Sequence, residues 1–205
     1  MVACGAILIG APNLISIILG LVFSIMVSGA LHEDGLADVA DGFGGGMTRN
    51  KKLHIMRDSR IGTYGVLALV FSVGLRAASL SSIATSANGQ VLFAAFLAGA
   101  VFSRGLLPCV MYGLPNARED GLSKSAGRPG LITVLVALFL STAGVLAMFV
   151  KEIIIAEIAI AVSLLTVFIF CVIAKRQIGG QTGDVIGAAQ QFGEVTFLIS
   201  LSIII

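Results

Sequence analysis

Charge is what this chain has least of. Lys, Arg, Asp and Glu make up 12% of its 205 residues, where soluble domains carry about a quarter. That shortfall, with 57% hydrophobic residues and a mean hydropathy of +1.03, excludes an ordinary soluble domain and puts the chain in a membrane. Long basic runs are missing too. Nothing exceeds Lys51-Lys52 or Lys175-Arg176, and the net charge of +2 is too small to argue for a nucleic-acid partner. Cysteine is scarce: Cys4, Cys109 and Cys171 are scattered through apolar segments with neither disulfide nor metal spacing, and read as small buried hydrophobes. A cleavable signal peptide is not expected, because the first apolar stretch has no basic start and no processing site. The chain opens mid-pattern on Val2-Ala3-Cys4, which leads us to expect an upstream portion.

Apolar runs are what it has in plenty. A spanning helix needs about 20 mostly apolar residues. Segments 13–31, 62–83, 90–112, 131–149, 153–174 and 185–205 qualify, with Val2 to Ile9 as the tail of an earlier one. The expected fold is all-α: a polytopic membrane helix bundle of about five to six spans, forming one domain over residues 1–205. The last span opens with Gln190, Gln191 and Glu194, so its first turns should face protein or water rather than lipid.

The basic residues orient the bundle. Loop 32–61 holds Arg49, Lys51, Lys52, Arg57 and Arg60; loop 113–130 holds Arg118, Lys124 and Arg128; the turn near 175 holds Lys175 and Arg176. That places ten cations on one side, against Lys151 alone in the intervening connections. By the positive-inside rule the three polar loops are cytoplasmic, and residue 1 lies outside.

Against this background one stretch stands out. After the apolar run Leu14 to Leu31 comes His32-Glu33-Asp34-Gly35-Leu36-Ala37-Asp38-Val39-Ala40-Asp41, then Gly42-Phe43-Gly44-Gly45-Gly46, with four of the chain's eleven acids inside nine residues. On a helix, Asp34, Asp38 and Asp41 project from one face. Three carboxylates so close repel one another unless they share hard divalent cations, and Mg²⁺ binds characteristically through a few carboxylates plus substrate phosphates. A second element, Arg57-Asp58-Ser59-Arg60, precedes the next span. Asp58 could complete a metal cage, and His54, one turn earlier, could orient a carboxylate. Arg57 and Arg60 suit phosphate because a guanidinium matches two phosphate oxygens at once; as ordinary juxtamembrane charges they would contact lipid headgroups instead. The glycine run is a hinge or a phosphate cradle, and is weak evidence alone.

Arg76 and Arg104 fall inside spans, where a charge costs at least ~2.5 kcal/mol and usually faces the bundle interior. Snorkelling suits Arg104, near the cytoplasmic end, better than mid-span Arg76. The last loop, Gly179-Gly180-Gln181-Thr182-Gly183-Asp184, places an acid at a helix start, where it is either a cap or a substrate ligand.

Taken together, His32 to Asp38 with Asp41-Gly42, Ile55-Met56-Arg57-Asp58-Ser59-Arg60-Ile61-Gly62-Thr63-Tyr64-Gly65, Asn116-Ala117-Arg118, and Gly180 to Asp184 with Gly187-Ala188 resemble the adenosylcobinamide-GDP ribazoletransferase (cobalamin synthase) family over nearly the whole chain. The resemblance implies an integral enzyme of the bacterial cytoplasmic (inner) membrane, its active site facing the cytoplasm, acting late in cobalamin biosynthesis. Such an enzyme joins adenosylcobinamide-GDP to α-ribazole or its 5′-phosphate with release of GMP and with Mg²⁺. The family chain usually extends further at its N-terminus. Under this resemblance Asp34, Asp38, Asp41 and Asp58 are the catalytic, metal-holding carboxylates, one of them a candidate base. Arg57, Arg60 and Arg118 hold phosphates, and His32 and Asp184 contact substrate. The partners expected are the two substrates and membrane lipid, with a homo-oligomer allowed and no nucleic acid.

Two other readings compete. The paired acids of Asp38-Val39-Ala40-Asp41-Gly42 partly match the CDP-alcohol phosphotransferases, but Gly44-Gly45 stands where those enzymes continue with Ala-Arg. Intramembrane charges could also line a cation transporter; the acids cluster in one loop rather than at mid-membrane, which argues against it.

Overall fold

The computed structural model describes residues 2–8, 10–87, 89–119 and 126–204. The Cys4 side chain and Lys124, both part of the reading above, lie outside the described residues. Ten helices follow in order among those residues: α1 (Val2–Leu8), α2 (Asn13–Val27), α3 (Leu31–Gly45), α4 (Arg49–Ile55), α5 (Thr63–Ser86), α6 (Gly89–Gly105), α7 (Leu107–Gly113), α8 (Leu131–Met148), α9 (Ile153–Ile178) and α10 (Gly183–Ile204). No strand forms among them; one isolated parallel bridge joins Asn116 to Gln181. The fold is the expected all-α membrane bundle.

Among the described residues four helical stretches are each long and apolar enough to cross a membrane: Thr63–Ser86, Gly89–Gly113, Leu131–Met148 and Ile153–Ile178. They match the expected segments to within a few residues. The first expected span is different. The apolar run 13–31 breaks after Val27, and α3 leaves α2 at 88°. Gly29 and Ala30 make the corner, both left-handed at φ 62° and 56°; the second is an uncommon conformation for a residue with a Cβ. The acid-rich stretch, read as part of the loop 32–61, is a separate helix on which the four-and-three spacing puts its acids on one face, with Glu33 and Asp34 in its first turn, where carboxylates meet the positive end of the helix dipole.

The sixth segment is present as α10, but it does not present itself to lipid as the outer helices do. It runs through the middle of the bundle against α3, α5, α6, α7 and α9. Gln190, Gln191 and Glu194 are all buried there, which agrees with the expectation that these turns face protein. The core around α10 is built from Leu36 and Val39 of α3, Phe102 and Leu106 near the end of α6, and Val185, Ala188, Phe197 and Leu201 of α10 itself. Cys109 and Cys171 are free thiols, half-buried rather than fully enclosed.

Candidate functional site

At one end of the bundle the three long loops meet, and cations hold them. Arg49, in the first turn of α4, donates from Nε to the carbonyl of Ile178 at 2.8 Å and from Nη2 to that of Ala117 at 2.6 Å. Lys52 donates to the Gln177 side chain. Arg118 donates from Nη2 to the Leu53 carbonyl at 3.0 Å. The two arginines satisfy backbone carbonyls that a helix end or loop would otherwise leave exposed. The 115–117 segment is laced to 180–182 by backbone bonds, Ala117 N–H to Gln181 O and Gln181 N–H to Pro115 O, each 2.8 Å.

Into this end α3 delivers its acids. Gly35 lies so close to α10 that a Cβ there would stand 2.7 Å from the Asp184 carbonyl oxygen. This backbone contact brings Asp34 and Asp38, which flank Gly35, to the start of α10. Asp34 is exposed and Asp38 half-buried. Burial, then the Asp184, Asp34 and Asp41 carboxylates, push the Asp38 carboxyl up to about 7, against a smaller opposing pull from Arg118. Asp184 is also raised, mainly by burial; Arg118, whose Nη1 lies 3.6 Å from its Oδ2, and the Thr182 hydroxyl pull it back.

The sequence left Asp184 as a cap or a ligand, and the cap belongs to a residue that spacing alone did not single out. Thr182 caps α10, its Oγ1 accepting from the Val185 N–H at 3.3 Å and donating to Asp184 Oδ2 at 3.2 Å. The Asp184 carboxylate is left facing Arg118 and the α3 acids.

The structure does not gather all four sequence-identified acids. Asp41 is 9% exposed, and both its oxygens accept backbone bonds from the start of α5, Gly62 N–H at 2.7 Å and Gly65 N–H at 2.9 Å. It caps α5 from a distance. Asp58 sits on the turn before α5, paired with Arg60 at 2.7 Å. That partner, bonding through side chain and backbone, holds its carboxyl down at about 2. Arg60 is thereby turned toward Asp58 in the solvent, its side chain 87% exposed. Arg57 lines an open groove of about 360 Å³ with Asn50, His54, Arg118 and Glu119. His32 points away from the acids, into an apolar cavity of about 600 Å³ between α2 and α6, where Arg104 is the other charged group. Burial, then Arg104, lower the His32 imidazole below its ordinary value.

Among the described residues no three His, Cys, Asp or Glu side chains form a ready metal cage. The donors that do converge, Asp34, Asp38 and Asp184, are hard carboxylate oxygens beside one guanidinium. Hard oxygens are the donor type that Mg²⁺ takes, one or two carboxylates at a time with water and substrate phosphates completing its shell; a softer ion would call for His or Cys.

The family model described as Cobalamin-5-phosphate synthase matches residues 1–202. Similar curated proteins are the adenosylcobinamide-GDP ribazoletransferases of Azorhizobium caulinodans, 44% identical over 97% of this chain and 76% of the relative, of Bradyrhizobium diazoefficiens, 46% identical over 92% and 70%, and of Sinorhizobium medicae, 41% identical over 99% and 80%. No solved structure matches the chain.

Proposed function

The chain belongs to the cobalamin-5-phosphate synthase family, an enzyme family of cobalamin biosynthesis, and from that premise we propose that it joins adenosylcobinamide-GDP to α-ribazole, or to α-ribazole 5′-phosphate, with release of GMP and with Mg²⁺. The observation that carries this reading is the convergence of Asp34 and Asp38 of α3 on Asp184 and Arg118 at the loop end of the bundle.

In the proposed transfer a ribose hydroxyl oxygen bonds to the β-phosphorus of the GDP moiety, the bond from that phosphorus to the bridging oxygen breaks, and GMP leaves. The task is to position phosphates and balance the charge that builds on them. Arg118, held by the Leu53 carbonyl, points one guanidinium edge at the acid cluster, where it can meet a phosphate oxygen. Arg57, on the groove beside it, extends the same positive surface. Asp38, whose carboxyl exchanges its proton near neutrality, is the group suited to take the hydroxyl proton. Asp34 and Asp184 would hold Mg²⁺, which when bound supplies neutralisation of the diphosphate charge. Asp41 serves by fixing α5 to α3. The excess of cations at this end supports a cytoplasmic location for the site, at the inner membrane.

The test is purified protein in detergent or liposomes with adenosylcobinamide-GDP, α-ribazole and Mg²⁺, followed by GMP release and the joined corrinoid. We expect product in equal amounts with GMP, none when Mg²⁺ is chelated, and a loss of at least about a hundredfold in Asp34→Ala. Transfer that survives both chelation and Asp34→Ala would refute the proposal.

A further inference from the structure

Beneath the acid face lies a second group of charged residues that the proposed chemistry does not use. Arg76, on α5, is 2% exposed. Its Nη2 donates to Glu33 Oε1 of α3 at 3.0 Å, and its Nη1 lies 3.7 Å from Glu194 Oε1 of α10. Glu33 and Glu194 are themselves buried, at 7% and 4%. Amides and hydroxyls complete the group. Gln191 donates to Glu33 Oε1 at 3.1 Å and accepts from Ser72 at 2.7 Å; Gln190 donates to Ser103 at 2.9 Å and to Glu194. Arg104, at the edge, lies 4.0 Å from Glu194 Oε2.

This arrangement is a poor device for stability. Replacing a buried ion pair by apolar residues of similar volume is often neutral or stabilising, and here Glu33 Oε2 and Arg76 Nε are buried without a hydrogen-bond partner among the described residues. What a charged trio supplies and an apolar contact does not is direction, because a planar guanidinium has fixed donor axes. The directions matter at this place. Glu33 is the neighbour of Asp34 in α3, and Glu194 is carried on the same helix as Asp184. Any sliding or rotation of α3 against α10 at Arg76 therefore reappears where Asp34 and Asp38 meet Asp184.

We propose that Arg76 is a positioning residue: from α5 it grips Glu33 of α3 and Glu194 of α10 together, and so sets how closely Asp34 and Asp38 approach Asp184. The consequence for transfer rests on the reaction proposed above; the consequence for helix geometry does not.

The experiment uses the full chain with Cys4, Cys109 and Cys171 changed to Ala, and Asp34→Cys with Asp184→Cys, treated with a short thiol cross-linker. Arg76→Met alone leaves two buried carboxylates unpaired and is expected not to fold. The informative variant is Arg76→Met with Glu33→Gln and Glu194→Gln, which removes the charges together. We expect it to melt close to the parent yet cross-link several-fold more slowly. With the acids and cysteines restored, its kcat should fall by about ten- to a hundredfold while KM for the corrinoid stays nearly constant. If the triple variant does not fold, Arg76→Lys is read in the same assay, since one ammonium cannot direct two carboxylates. An undiminished cross-linking rate in whichever folded variant is read overturns the proposal. Absence of transfer by the unsubstituted chain would sink the proposed reaction and leave the cross-link to decide on Arg76.

Discussion

Asp38 and Asp41 sit three residues apart on one helix face, and the structure gives them different work. Asp41 takes two amides at the start of α5, those of Gly62 and Gly65; Asp38 takes none and is pushed up to about 7 by burial and its acidic neighbours. Asp41→Ala should therefore cost stability, about 1–2 kcal/mol as for other lost caps, seen as a lower melting temperature with or without Mg²⁺. Asp34→Asn, at an exposed position, should leave melting nearly unchanged and abolish transfer. Asp38 adds a pH dependence. Its carboxyl is raised in the folded chain from 3.8 to about 7, so the folded state binds the proton more tightly than the unfolded one. That contribution is complete below about pH 4 and is lost as pH rises through about 7. Melting of the divalent-free protein, scanned from pH 5 to 8, should fall with pH, and Asp38→Asn should flatten the slope; a parent profile already flat would count against the acid cluster. Spacing made these acids legible as a face but could not separate them, because the partners of Asp41 lie 21 and 24 residues further along the chain.

At the scale of elements, the contact that assembles the site is α3 against α10 at Gly35. A Cβ there would stand 2.7 Å from the Asp184 carbonyl, and backbone cannot step aside as a side-chain tip can. Gly35→Ala should displace α3, lowering transfer at least about tenfold and destabilising the fold. Gly74, on α5 with nothing within 4 Å of its would-be Cβ, is the control. Gly74→Ala should be neutral or raise stability by up to ~1 kcal/mol, because alanine loses less backbone freedom in a helix. The ratio of the two effects, measured by melting and by GMP release, separates close approach from helix propensity. The long apolar helices were readable from length; α3 and α4 fall in what read as the loop 32–61, where only the acid spacing of α3 suited a helix. The corner between α2 and α3 was not: the apolar run continues through Ala30 to Leu31, and an alanine in the left-handed region carries no signal of its own. Nor did the sequence announce that α4 is latched by Arg49 to Ile178 and Ala117, since those carbonyls belong to loops distant in the chain.

For the whole molecule, the arrangement of charge across the membrane follows from helices of known length. The 26 residues of α9 span about 39 Å at 1.5 Å each, enough to separate its two ends by more than a bilayer core. Its C-terminal end, with Lys175 and Arg176, is tied to α4 and to the 115–117 segment, so the three cation-rich loops share one end, as the alternation of spans required. The turn before it, with Lys151 and Glu152, lies at the other. Their common end follows from structure; its cytoplasmic orientation is what we propose from the positive-inside rule. Single cysteines at Lys51, Lys175 and Lys151, all exposed, placed in the chain whose three native cysteines are alanine, test it with an impermeant thiol reagent on intact inside-in bacterial spheroplasts. Lys151→Cys should be labelled at once, whereas Lys51→Cys and Lys175→Cys should be labelled only after the membrane is opened. The reverse pattern would put the acid cluster outside, away from cytoplasmic nucleotide, and would contradict the proposed transfer more directly than any single substitution, because no rearrangement within the bundle carries Asp34, Asp38 and Asp184 across the membrane.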